Sequence, residues 1–248
     1  MCSTLSISNH GKFDEFALQE LRTLDQINAY ELYREFTNLP VKTILTTNFD
    51  YSIERALLSD YKFDDGRHTK FKNETRVTKS RHTEIEIAKK TKRIYHIHGE
   101  LGLPTTICLG HLHYAENLSS IVSTLMDSDT MEISEKAEEI IRAGLLNGNS
   151  SWVYYFFTHD VNIIGFSADP CDIDIWWLLV LRAHLIISER IKIDNEINYF
   201  YLYKSEDRNL VQCLNSLHVN VRPLKISDEG EWKEAYLKIA DLLKEELK

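Results

Sequence analysis

The stretch KTILTTNFDYSIERAL, residues 42–57, runs from an apolar segment through a cluster of polar side chains straight into a helical pattern. DVNIIGFSADPCDIDIWWLLVLRAHLIIS repeats the same grammar: an apolar run over 161–164, the turn GFSAD, and a strongly apolar helix over 175–187. A strand passing directly into a helix is half of a β-α-β unit. A chain that does this more than once is held to an α/β fold with a mostly parallel sheet and helices on both faces.

The rest of the chain fits around those two units. Phe16, Leu21, Leu24, Ile27, Leu32 and Phe36 recur at helical intervals and predict one or two helices over 13–39, ended by Pro40. RIYHIHG predicts a second strand and TTICLG a third, followed by a helical region at about 114–146. INYFYLYK and VNVRPL predict two more strands, and Trp232, Tyr236, Ile239, Leu243 and Leu247 a closing amphipathic helix. Residues 61–92 are polar and charged and predict an insertion or loop within a single domain spanning 1–248. Acidic side chains interleave with its basic ones, which speaks against a nucleic-acid patch. The net charge of -9 repels phosphate on average and points the same way.

With 43% hydrophobic and 27% charged residues, the chain has enough apolar side chains for a large core. Cys2, Cys108, Cys171 and Cys213 are dispersed, with no Cys-x-x-Cys pair, so neither a zinc ribbon nor a disulfide framework is indicated. No run approaches the roughly 20 apolar residues that span a bilayer. A cytoplasmic location without membrane association is the expectation.

In a doubly wound sheet the C-terminal strand tips share one edge, so TTNFD, HIHG and GFSAD are expected to converge there. They carry Thr46, Thr47, Asn48, Asp50, His98, Gly99, Gly165, Phe166, Ser167 and Asp169. Hydroxyls, an amide, an imidazole and glycines suit a sugar or phosphate ligand better than an apolar one. Each residue also has a plainer reading. Asn48 or Asp50 can cap the following helix, His98 can be a packed core histidine, and Gly165 and Ser167 can simply make a turn.

Taken together, TTNFD, then HIHG, then GFSADPCDIDIWW resemble the sirtuin-like domain of bacterial NAD-consuming antiviral defence proteins, over roughly 41–187. The resemblance implies a Rossmann-like domain that takes NAD as substrate and hydrolyses the nicotinamide–ribose bond. It implies that Asn48 holds the nicotinamide ribose or the attacking water and that His98 is the general base. Thr47 and Asp50 would line the nicotinamide side, and Gly165 and Ser167 the ribose and phosphates. Cleavage of that bond develops an oxocarbenium-like sugar, which calls for positioned dipoles and one base of near-neutral pKa.

The sequence departs from the sirtuin pattern twice. The paired cysteines of the zinc module of lysine deacylases are missing, so no zinc is expected and NAD hydrolysis is the better reading. The opening STLSISNHGKF offers only Gly11 where a Gly-x-Gly turn would cradle pyrophosphate. A second reading is therefore a degenerate subunit that binds a nucleotide, such as NAD or ADP-ribose, or a protein partner, without turnover. Adjacent Trp176 and Trp177 point about 100° apart on a helix, which fits either an all-round buried helix or contact with a second copy or partner subunit. The pairs His96/His98 and His111/His113 would offer two metal ligands each if they lay on strands, a rival reading for which only Glu100 and Glu116 supply nearby carboxylates.

Overall fold

A computed structural model describes residues 30–58, 69–70, 79–87, 89–144, 151–228 and 231–248. The helical periodicity at Phe16, Leu21, Leu24 and Ile27, and Gly11, lie outside them. The chain divides into two compact units, one running to Asn117 and including Ala240–Lys248, the other Leu118–Ile239.

The first unit contains α1 (Tyr30–Thr37), β1 (Thr43–Thr46), α2 (Ser52–Leu58), β2 (Thr69–Lys70), β3 (His82–Ile87) and β4 (Lys90–His96). Its four strands lie in the order β1-β4-β3-β2. β1 runs parallel to β4, with Thr43 opposite Arg93 and Thr46 opposite His96. β3 is antiparallel to both of its neighbours. Ile53 of α2 packs on Ile85 and Ile94 of the sheet, with Tyr33, Ile44 and Leu57 around them. Pro40 has no N–H to offer, and the Lys92 ammonium instead ties the entry to β1 to the sheet by donating to the Leu39 and Val41 carbonyls at 2.7 and 2.9 Å.

This sheet corrects three expectations. It is mixed rather than mostly parallel, because residues 61–92, read as an insertion, supply β2, β3 and the start of β4. Ile87 pairs with Lys90 across a tight reversal in which Lys89 is left-handed, at φ 66°. TTICLG is not a strand: Pro104 opens a short 3-10 turn, Pro104–Thr106, after which Ile107 and Cys108 are buried outside the strands of the sheet. The helical region at 114–146 is two helices, α3 (His111–Leu125) and α4 (Glu135–Ala143), separated by a turn at Asp127, whose carboxylate accepts from the Asp129 and Thr130 N–H groups.

In the second unit β5 (Val161–Ile164), β6 (Ile197–Tyr203) and β7 (Asn220–Lys225) form an all-parallel sheet in that order. With them go α4, α5 (Trp152–Thr158), α6 (Ile173–Ile187), α7 (Arg208–Ser216) and most of α8 (Trp232–Glu246). The α5 run WVYYFF, left unassigned from sequence, is buried throughout and is started by Ser151, whose hydroxyl accepts from the Val153 N–H. Asp207 caps α7 in the same way through the Asn209 and Leu210 N–H groups. Among the described residues no helix is long and apolar enough to cross a membrane.

The second unit also buries Arg182 on α6. Its guanidinium donates to Asn195 Oδ1 at 3.2 Å, to the His218 carbonyl at 3.1 Å and, at short range, to the Asn195 carbonyl. The Asn195 amide in turn donates to the Phe156 and His159 carbonyls, so one cation links α6, α5 and the approaches to β6 and β7. Arg182→Ala removes a costly buried charge but orphans three acceptors, and a net loss of about 3 kcal/mol is expected in urea unfolding. Full stability in that variant would mean that water replaces the guanidinium.

Candidate active site

The residues after β1 are shaped by their own side chains. Thr46 Oγ1 accepts from the Asn48 N–H at 3.1 Å, which turns the chain at the strand end. Asp50 Oδ1 accepts from the Ser52 N–H at 2.8 Å and so satisfies a donor in the first turn of α2. The capping role belongs to Asp50 and not to Asn48. Asn48 is exposed, and its side-chain amide donates to the Tyr33 hydroxyl of α1 at 3.1 Å, while Thr47 beside it is half-buried.

Beneath this turn lies a charged network. His96, the last residue of β4, places Nδ1 2.8 Å from the Asn48 carbonyl and Nε2 2.8 Å from Glu54 Oε1, with Glu54 fully buried on α2. The Tyr51 ring meets His96 edge-on at 5.5 Å, and its hydroxyl donates to Glu100 Oε2 at 2.8 Å while accepting from the Gly102 N–H. The other Glu100 oxygen pairs with Arg81 Nε at 2.8 Å. With His96 protonated, two carboxylates face two cations, and the buried set is neutral. Burial and the Glu100 carboxylate push the Tyr51 phenol well above its ordinary range, so it stays a donor.

Burial alone would lower the His96 pKa. The Glu54 carboxylate, aided by Glu100 and the Asn48 carbonyl, overcomes that and raises it to about 9. Because the folded value lies above the ordinary 6.5, the stabilisation from this proton is complete below about pH 6.5 and disappears as pH rises through about 9. Unfolding free energy is predicted to fall by an amount on the order of 3 kcal/mol across that window. Denaturant titrations at about pH 6 and about pH 10 check this, and Glu54→Gln should flatten the difference. A wild-type curve already flat would refute the assignment.

The second tip, HIHG, follows β4 directly. Since Thr46 and His96 are register partners in parallel strands, TTNFD and HIHG leave the same edge of the first sheet side by side. His98 is 2% exposed, and its ring meets Tyr114 of α3 edge-on at 5.0 Å. Its carbonyl accepts from the Cys108 N–H at 2.8 Å. Gly99 has φ 101°, and the side where a Cβ would stand is filled by the Thr106 carbonyl. The glycine there admits a neighbouring stretch of backbone rather than a ligand.

The third tip, GFSAD, closes β5 in the second unit. Gly165 and Ala168 are left-handed, at φ 69° and 53°. The Phe166 carbonyl accepts from the Tyr199 hydroxyl at 2.7 Å, and Asp169 Oδ1 from the Cys171 N–H at 2.8 Å, a bond that holds the Asp169 carboxyl below its usual range. Ser167 is exposed, and the half-buried Trp176 spends its indole N–H on the Asp169 carbonyl. Asp169 therefore acts as a local turn-former, as Asp50 does.

The metal reading loses its geometry. His111 and His113 lie on α3, where residues two apart do not share a face, and His113 Nδ1 accepts from the Leu109 N–H at 3.1 Å. His96 is committed to Glu54. Among the described residues no group of three or more His, Cys, Asp or Glu side chains could hold a metal. Sequence reasoning passed over Glu54, Tyr51 and Arg81. The one available signal was a carboxylate set in the apolar run of α2, next to Ile53 and one turn from Leu57 and Leu58.

No curated protein matches the chain significantly. The family model described as the SIR2-like domain matches residues 42–174, more than half of the sequence, from the start of β1 into α6. Its span takes in all three polar tips, and the chain thus belongs to the SIR2-like family, whose members use NAD as substrate.

Proposed function

We propose that this chain is an NAD hydrolase that cleaves the bond between nicotinamide and ribose. The observation that carries the reading is the parallel register of β1 and β4, which sets the exposed Asn48 turn beside the His98 turn at one sheet edge. In the reaction the C–N bond breaks with its electron pair passing to the pyridinium nitrogen, so nicotinamide leaves neutral. Water adds to the sugar carbon and gives up a proton, leaving ADP-ribose. Asn48 supplies the dipole that orients the water or the ribose, and His98 accepts the proton. Thr46 and Thr47 lead into Asn48, and Asp50 and Gly99 shape the two turns.

The test is incubation of the full chain with NAD, with nicotinamide and ADP-ribose quantified separately. Equal release of both is expected. Intact NAD, together with no measurable binding of ADP-ribose, would sink the reading. A second reading, binding without turnover, draws on the burial of His98 behind Tyr114, since a general base must reach water. ADP-ribose binding by a chain that leaves NAD intact would favour it. The resemblance to defence proteins supports a role in antiviral NAD depletion, and NAD levels in phage-challenged cells carrying the chain test that role.

A further inference from the structure

We propose that His96 is the positioning residue of this site, fixing the Asn48 turn through Nδ1 while Glu54 holds the ring from the opposite side. The inference rests on the reading of Asn48 as a ligand-facing residue and adds a group that never meets the ligand.

The Asn48 carbonyl can only accept, and so can an ionised Glu54 carboxylate, yet each stands 2.8 Å from one nitrogen of the same ring. A neutral imidazole carries one N–H and satisfies one of them. Only the imidazolium satisfies both.

Every element around the ring supports that charge. Glu54 faces it from α2, and Glu54 Oε2 is buried with no hydrogen-bond partner among the described residues, so that the carboxylate's tie to the network runs through His96. The Asn48 carbonyl faces it from the turn after β1, and the Tyr51 ring edge from the residue before α2. Glu100 adds negative charge from the loop after β4, and is itself balanced by Arg81 at the entry to β3. Loss of the proton leaves one N–H for two acceptors; with that N–H held by the stronger acceptor, the Glu54 carboxylate, the Asn48 carbonyl is orphaned and its turn loses its bond to the His96 ring at the end of β4.

A structural role alone predicts lower stability. A positioning role predicts in addition that ligand affinity follows the His96 proton. ADP-ribose is to be titrated calorimetrically against the full chain, as wild type, Glu54→Gln and His96→Gln, between about pH 6 and about pH 10, with His ring signals followed by NMR. Wild-type affinity is expected to fall as pH passes through about 9, with the ring titrating there. Glu54→Gln should shift both midpoints down together by more than about one pH unit. His96→Gln should weaken binding by about 10-fold to 100-fold and abolish the pH limb.

A wild-type limb that does not move with the His96 signal in Glu54→Gln would overturn the inference while leaving the site reading intact. So would a folded His96→Gln chain that binds ADP-ribose as tightly as wild type. Wild-type protein that binds no ADP-ribose at any pH would overturn both, which distinguishes the two failures. If His96→Gln does not fold, the wild-type and Glu54→Gln profiles decide alone.

Discussion

Replacing Asn48 by Ala is expected to cut NAD turnover by about 100-fold or more while leaving unfolding free energy within about 1 kcal/mol of wild type. The two effects separate because of where the residue sits. Its side chain is exposed and, among the described residues, makes one hydrogen bond, to Tyr33, so its removal orphans no buried group there. The carbonyl that His96 grips belongs to the backbone and survives the substitution. With Nδ2 turned to Tyr33, Oδ1 is the atom left to accept from a water or a ribose hydroxyl, and Ala has nothing in its place. Tyr33→Phe loosens the amide without deleting it and should cost less than about 10-fold. Nicotinamide release by the two variants checks the pair, and an Asn48→Ala chain with full turnover removes Asn48 from the site.

The second large effect concerns the fold beneath that site. Gly99→Ala is expected to cost about 4 kcal/mol in urea unfolding, enough to remove a large part of a domain's stability. An ideal Cβ at Gly99 lies 2.3 Å from the Thr106 carbonyl oxygen and 2.6 Å from the Ile107 Cα, and these are backbone atoms that cannot swing aside. The conformation, at φ 101°, is itself strained for any residue with a Cβ. Gly165 is the control: its Cβ would stand 3.4 Å from a Tyr236 hydroxyl that can move, so Gly165→Ala pays mainly for the left-handed backbone, about 1–2 kcal/mol. Equal losses at the two glycines would show that the loop around Thr106 yields.

The parts of the fold that could be read from sequence are those with one dominant local signal. The strand at 161–164 agrees with β5 to the residue, and the apolar run at 175–187 is α6 apart from its first two residues. β3 went unread although its signal was present. In HTEIEI the isoleucines alternate with polar residues, and Ile85 is buried, but the surrounding charge made the whole region resemble a loop. TTICLG misled in the opposite direction, since β-branched residues suggested a strand where Pro104 sets a 3-10 turn.

The site divides the same way. The turn at Asn48 and the adjacency of the first two tips follow from strand–helix grammar, and the family match over 42–174 covers all three tips. The His96–Glu54 pair does not follow from it. Its partners are 42 positions apart, and no periodicity within either segment reports which helix residue a strand-end histidine will meet. The rival metal reading makes His96 half of a ligand pair. It is buried instead between the Asn48 carbonyl and the Glu54 carboxylate.

The arrangement of the first sheet sets an order of assembly. β3 and β4 are joined by a tight reversal and can zip together from neighbouring residues, whereas β1 must close a loop of about fifty residues before Thr46 finds His96. The hairpin is therefore expected to form early and β1 to dock late. The Asn48 carbonyl reaches its imidazolium only in that last step. A chain caught part-way through folding would hold β2, β3 and β4 together without the Asn48 turn in place, so the proposed NAD-cleaving site would be absent until β1 docks.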